Sequence, residues 1–211
     1  MTSMATPATS WTTLLKLGRV SNLPTVWTNT LAGALVAGGS WQDARIAIIV
    51  VAMSFLYEGG MFLNDYFDRD IDARERPERP IPSFEIAPGR VAAIGWGLIT
   101  AGLVLLAILG VEVLGLGLLL AAFIVGYDLH HKGNSFAPVL MGICRALVYA
   151  VAAMALVGSL SGPLIIAAIA LLAYVAGISY AAWQERLDRS SNLWPLALLA
   201  APLLVVASSM Q

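Results

Sequence analysis

Nine consecutive residues, Asn64-Asp65-Tyr66-Phe67-Asp68-Arg69-Asp70-Ile71-Asp72, set four carboxylates where an apolar segment runs out into the most charged loop of the sequence. If the helix entering from Phe55 continues through this stretch, Asp65, Asp68 and Asp72 fall within an arc of about 60° at the ~100° per residue of an α-helix. Asp70 then points nearly opposite, to solvent. Three anions on one helix face at a membrane boundary repel one another and are costly to desolvate, so a cation is expected to share their site. Mg²⁺ matches best, because it takes hard oxygen ligands, keeps several waters and commonly links one or two carboxylates to substrate phosphates. Asp65, Asp68 and Asp72 are therefore the candidate catalytic and metal-binding residues. The plainer alternative is a charged helix end that obeys the preference for polar groups at the interface. An EF-hand is excluded, since no Gly follows at the sixth position of such a loop.

Other polar groups can join this stretch. Glu58 is seven residues before Asp65 and shares its helix face, either as a deeper member of the same site or as a carboxyl bonded to a neighbouring helix. Residues 73–90 hold Arg74, Arg76, Arg79 and Arg90 among Pro77, Pro80, Pro82 and Pro88. Proline stiffens this loop and arginine offers forked donors for phosphate oxygens, so a cap over an anionic ligand is expected, alongside a role in topology. Residues 128–135 form a second polar loop. Its adjacent His130 and His131 point apart on any regular element and lack further zinc ligands, so Lys132 as a phosphate contact is the stronger reading. Arg145, two turns inside an apolar segment, either snorkels to the interface or reaches a polar cavity; the cavity is preferred. Glu185 and Asp188, three apart, make a thinner acidic cluster at another helix end and a candidate second metal site. Asn22, near the start of the first span, is a candidate contact for a polar substrate, whereas Asn29 is as readily structural.

The elements that carry these groups are membrane helices. Of 211 residues, 59% are hydrophobic and 12% charged, with mean hydropathy +0.80, which excludes a soluble domain and predicts an all-α polytopic bundle in the lipid bilayer. The net charge of −1 and the lack of a separate basic cluster speak against nucleic acid. Residues 13–19 form a short amphipathic lead-in, and no signal peptide is seen in residues 1–20, so the first span serves for targeting. Spans are predicted over residues 23–39, 44–63, 91–109, 111–127, 138–157 and 164–183, followed by a short apolar run over 194–207. That makes about seven helices in one domain over 1–211. Gly59 and Gly60 should let helices approach closely. Cys144 reads as a small core residue with no disulfide partner. If the segments alternate, Lys16, Arg19, Arg69, Arg74, Arg76, Arg79, Arg90, Lys132, Arg186 and Arg189 lie on one side and Arg45 on the other. The positive-inside rule then puts the N-terminus and both acidic clusters at the cytoplasmic face.

Two acidic helix ends under cationic loops, above apolar spans, make a site for a Mg²⁺-held diphosphate with a long hydrocarbon tail. Cations that stabilise a departing diphosphate ease ionisation of an allylic carbon, which a sheltered electron-rich acceptor can attack. At this point the sequence resembles a known family. Asn64-Asp65-x-x-Asp68-x-x-x-Asp72, followed by Arg74 and by Arg79-Pro80-Ile81-Pro82-Ser83, is similar to the first motif of the UbiA family of intramembrane prenyltransferases. The resemblance runs over about residues 15–188. It implies that Asp65, Asp68 and Asp72 hold Mg²⁺ and that Asn64 belongs to the polar wall. It also implies that Tyr127 and Lys132 belong to the loop that meets an isoprenoid diphosphate, and that Arg19 and Asn22 open the first helix. The family's second motif has Asp residues four apart, where this chain has Glu185 and Asp188 three apart and Gln184 four before Asp188. The family also has about nine membrane helices.

The function expected is transfer of a prenyl group from an isoprenoid diphosphate to a small, aromatic, lipid-soluble acceptor. The alternative is an isoprenoid-binding or transport accessory with the same fold and weakened catalysis. A transporter is disfavoured because no inverted repeat with matching polar breaks is seen. A phosphatidyl-alcohol transferase would resemble a motif with an Asp-Gly pair where this chain has Asn64-Asp65.

Overall fold

The computed structural model describes residues 10–186 and 194–209, all of whose regular structure is helical. Helix α1 (Trp11–Gly18) is capped by Ser10, whose side-chain oxygen accepts the Thr12 N–H. A left-handed residue, Arg19 (φ 48°, ψ 44°), and a 3₁₀ turn (Val20–Asn22) lead into α2 (Leu23–Val36). Then follow α3 (Arg45–Glu75), α4 (Pro88–Leu109), α5 (Val111–His130), α6 (Ala137–Val157) and α7 (Gly162–Arg186), with α8 (Trp194–Leu199) and α9 (Ala201–Ser209) at the end.

Among the described residues five helices, α3 to α7, are long and apolar enough to cross a membrane. The first predicted span is shorter than expected. It stops at Val36 because Gly38 turns out of the helical region (φ +86°) with its N–H on the Leu35 carbonyl. The last apolar run breaks at Ala200, just before Pro202, which cannot donate the backbone bond that would join α8 to α9. The hairpin of α4 and α5 turns on Gly110 alone, as expected.

Helix α3 is the organising element. No proline interrupts it until Pro77, and Arg76 before that proline leaves the helix (φ −146°). Its 31 residues rise about 46 Å, against a hydrocarbon core of about 30 Å. If the apolar crossing begins near Arg45, the helix meets the opposite boundary near Asp65, and the acidic turns project beyond it. Ile49, Met53, Leu56 and Leu63 on its inner face are almost wholly buried, together with Ile99, Leu106 and Val151 of neighbouring helices.

Close approaches by glycine set the spacing of the bundle. A Cβ on Gly59 would lie 2.9 Å from the Gly95 carbonyl of α4, and one on Gly95 would lie 3.1 Å from the Gly59 carbonyl, so these two backbones meet reciprocally. Gly60 performs the same service toward α5, where Ile124 would be 2.6 Å from an added Cβ. The sequence expectation for this pair holds.

Candidate active site

The turn of α3 that carries the aspartates is buried. Asn64, Asp65, Asp68 and Asp72 all face inward, while the Asp70 side chain is 82% exposed, as its position on the helix predicts. The helix therefore runs straight through the motif. Basic groups from three other segments converge on it. Arg79 Nη1 lies 2.6 Å from Asp72 Oδ2 and 3.2 Å from Asp65 Oδ1, and Arg19 Nη2 lies 3.4 Å from both Asp65 Oδ1 and Asn64 Oδ1. Asp68 Oδ2 is 3.3 Å from His131 Nε2 and 3.4 Å from Lys132 Nζ. The cation expected at this helix face is thus supplied in part by the protein itself.

Each basic group is placed by identifiable local structure. Arg79 sits in a folded loop whose Pro80 carbonyl accepts the Glu85 and Ile86 N–H groups. Ile81 and Ile86 bury against Leu17, Phe62 and Val91, and Thr13 donates to Glu85 at 2.9 Å, which ties the loop to α1. Arg19 occupies a left-handed conformation that costs a residue with a Cβ about 1 kcal/mol. That turn lets α1 lie along the bundle end while the guanidinium reaches α3. His131 stacks on Tyr127 at 5.1 Å between ring centroids, and its bond to Asp68 raises the imidazole above its ordinary range.

Sequence reasoning missed Asp128. The loop expected to begin there is helical through His130, because no Gly or Pro occurs between Gly126 and Gly133. Asp128 consequently lies on the inner face of α5, 3% exposed, with Asn64 Nδ2 donating to its Oδ1 at 3.2 Å. The uninterrupted run of helix-compatible residues was the available signal. Arg79 was visible as a loop arginine and as the start of the Arg79–Ser83 part of the family motif, without a role of its own, and His131 only as half of a histidine pair.

Below the polar cluster a cavity of about 290 Å³ opens between α2, α3, α5 and α6. Arg19, Asn22, Tyr57, Tyr127, Asp128 and Arg145 supply its polar wall, and Val26, Met53, Leu56, Leu120, Ile124 and Val148 much of its apolar wall. Asn22 donates to the Tyr57 hydroxyl at 3.2 Å. Arg145 lines this cavity, as preferred, and donates to Thr25 Oγ1 at 3.3 Å, but the anionic partner expected with it is not found among the described residues. Asn29 donates to the Arg145 carbonyl and is structural. Cys144 is half-buried, packed against the main apolar core and also facing the cavity wall.

Three predicted site residues are not brought in. Arg74 is exposed on the last turn of α3, and Arg79 lies against the aspartates instead. Glu58 faces Gly18 of α1 and does not line the cavity. Glu185 is exposed at the end of α7, and Asp188 lies outside the described residues.

The donor set suits Mg²⁺ in kind. It offers carboxylate oxygens without a thiol, and Asp72 Oδ1 on the aspartate face is buried without a partner. Among the described residues no three acidic, His or Cys side chains already converge as a closed metal cage. The three-carboxylate arrangement expected of Asp65, Asp68 and Asp72 is therefore not assembled, and one or two of them would share an ion with substrate phosphates and water.

A helical membrane bundle with an acidic and basic cluster above an apolar-walled cavity defines the class of the protein. The chain belongs to the UbiA prenyltransferase family, whose model matches residues 26–207. It is 37% identical over 124 residues to a digeranylgeranylglyceryl phosphate synthase of Methanothrix thermoacetophila, covering 57% of this chain and 46% of that one. The chain spans about half the length of the curated relatives it matches. A solved structure of a digeranylgeranylglyceryl phosphate synthase superposes with a TM-score of 0.76 at 21% identity, over 92% of this chain and 75% of that one. A UbiA homologue from Archaeoglobus fulgidus solved with DMAPP and Mg²⁺ gives 0.62 at 16% identity, over 93% and 75%. At these identities the two structures establish the shared fold.

Proposed function

We propose that the chain is an enzyme that transfers a prenyl group from an isoprenoid diphosphate to a lipid-soluble acceptor inside the membrane. The observation that carries this reading is the stacking of charge over grease: Asp65, Asp68 and Asp72 with Arg19, Arg79 and Lys132, directly above the apolar-walled cavity. Asp65 and Asp68, supported by Asp72, would hold Mg²⁺, which when bound would neutralise the diphosphate and stabilise charge on it as it leaves. Arg79 and Lys132 turn from the carboxylates they now pair with to the phosphate oxygens, an exchange that keeps every charge compensated. Tyr127 holds the His131 ring in place, and Asn64 fixes the wall. The prenyl chain lies in the apolar part of the cavity. By the distribution of basic residues this end of the bundle is cytoplasmic.

The acceptor carries an anionic group, because Arg145 presents a guanidinium to the cavity without a carboxylate partner. A glyceryl phosphate acceptor, in keeping with the relatives' names, fits this requirement, as does an aromatic acid. The accessory reading is favoured by one feature, the atypical second acidic motif, whose Glu185 is exposed at the end of α7. The test is transfer from labelled geranylgeranyl diphosphate in lipid nanodiscs with Mg²⁺, offered geranylgeranylglyceryl phosphate or 4-hydroxybenzoate. Labelled product that EDTA abolishes supports the enzyme. Tight donor binding without product from either acceptor supports the accessory.

A further inference from the structure

Asp128 is the buried carboxylate of this site that no basic side chain pairs with among the described residues. Its Oδ1 accepts from Asn64, and its Oδ2 has no hydrogen-bond partner although the residue is 3% exposed. Leaving such an oxygen empty is costly, so the site is built for a donor that arrives with a ligand. The residue lines the cavity beside Tyr127 and Ile124. Gly60 lies beside it on α3, where an added Cβ would stand 3.9 Å from Asp128 Oδ2, an ordinary contact distance. The bond from Asn64 fixes the carboxylate's rotamer and leaves Oδ2 as the free edge.

The chemistry of the two substrates says which one supplies the donor. An isoprenoid diphosphate offers acceptor oxygens and hydrocarbon, and its anionic end belongs with the basic groups around Asp65, Asp68 and Asp72. The hydrogen-bond donor therefore comes from the acceptor. We propose that the acceptor presents a hydroxyl group to Asp128 Oδ2, and that Asp128 is the catalytic base that takes its proton, an inference that rests on the prenyl-transfer reading. As the C1–O bond of the donor breaks with its electron pair on the diphosphate, the acceptor oxygen forms the new bond to C1. Its proton passes to Asp128 Oδ2 and leaves to water when the product departs. The product is an ether, and the acceptor class is an alcohol whose anionic group lies on Arg145.

The test uses the whole chain in nanodiscs with Mg²⁺, labelled geranylgeranyl diphosphate and geranylgeranylglyceryl phosphate, comparing wild type with Asp128→Asn. Asparagine keeps an oxygen for Asn64 but cannot take a proton. The expected result is a fall in kcat of about 100-fold or more with unchanged Mg²⁺-dependent donor binding, which also shows that the variant is folded. In Asp128→Ala, added formate should restore part of the rate, which it cannot do for a purely structural carboxylate. An unchanged kcat in Asp128→Asn, loss of donor binding along with activity, failure of formate to rescue, or a product joined through carbon overturns the assignment. If wild type itself transfers nothing to this acceptor or to 4-hydroxybenzoate, the prenyl-transfer reading fails first, an outcome distinct from these.

Discussion

Arg79 Nη1 and Asp72 Oδ2 stand 2.6 Å apart, the shortest ion pair among the described residues, and the same guanidinium nitrogen reaches Asp65 Oδ1 at 3.2 Å. One loop arginine thus clips together two carboxylates that would otherwise repel across two turns of helix. The Asp72 side chain is 2% exposed and that of Arg79 21%, so the pair is well screened from water on one side only. Removing one partner of a fully buried pair costs about 3–5 kcal/mol, and for this geometry Arg79→Met should cost about 2–3 kcal/mol in the absence of metal. Added Mg²⁺ should raise the melting temperature of the variant more than that of wild type. Thermal melts in detergent with and without Mg²⁺ measure both effects, and equal shifts would show that the metal and Arg79 do not share these carboxylates.

His131 gives the metal-free protein a pH dependence. Its bond to Asp68 raises its folded-state pKa above the unfolded value, so its stabilising contribution is fully present below the unfolded pKa and is lost as pH rises through the folded one. Melting temperature in EDTA should therefore decline across that window, and His131→Gln should flatten the decline. A variant with the same slope as wild type contradicts the assignment of the slope to this residue.

Gly33 governs how α2 meets α6. An added Cβ would lie 2.7 Å from the Tyr149 Cα, a backbone atom that cannot swing aside. Gly33→Ala should force the helices apart at a cost of about 1–3 kcal/mol. Because Asn22, immediately before α2, lies on the cavity wall, the acceptor KM should rise as well. A melt and a KM both unchanged would mean that the helices slide without loss.

Arg145 separates the two substrates. A charged hydrogen bond is worth about 1.5–3 kcal/mol, so Arg145→Met should raise the KM of an anionic acceptor roughly 10- to 100-fold. The KM of the diphosphate donor should stay within about twofold, a span of only ~0.4 kcal/mol. Steady-state kinetics with each substrate varied in turn decides this, and a rise confined to the donor would place Arg145 on the diphosphate.

Much of this arrangement could be read from residue order. The i, i+3 and i+7 spacing of Asp65, Asp68 and Asp72 needs only an uninterrupted helix to bring them to one face, and burial of all three with exposure of Asp70 follows from that geometry. Arg145 in an apolar run had few choices, and the cavity took it. What the order of residues did not reveal depended on partners distant in the chain. Asp128 and Asn64 are 64 positions apart, and their bond requires α5 to stay helical beyond the apolar run. The choice of Arg79 over Arg74 depends on a loop folded by Ile81 and Ile86, whose burial no local pattern announces. Arg74, still on the helix, is carried away from the aspartates by the same periodicity that unites them.

The central claim is that the aspartate face of α3 supports metal-dependent prenyl transfer. The most direct measurement is the rate of labelled isoprenoid transfer to geranylgeranylglyceryl phosphate by nanodisc-embedded protein, with Mg²⁺ titrated from zero, for wild type and Asp68→Asn side by side. The account predicts product only with Mg²⁺ in wild type, and a fall of at least about 100-fold in the variant at every Mg²⁺ concentration, about 2.7 kcal/mol of lost stabilisation. Transfer that persists in EDTA, or an Asp68→Asn variant as active as wild type, would contradict it.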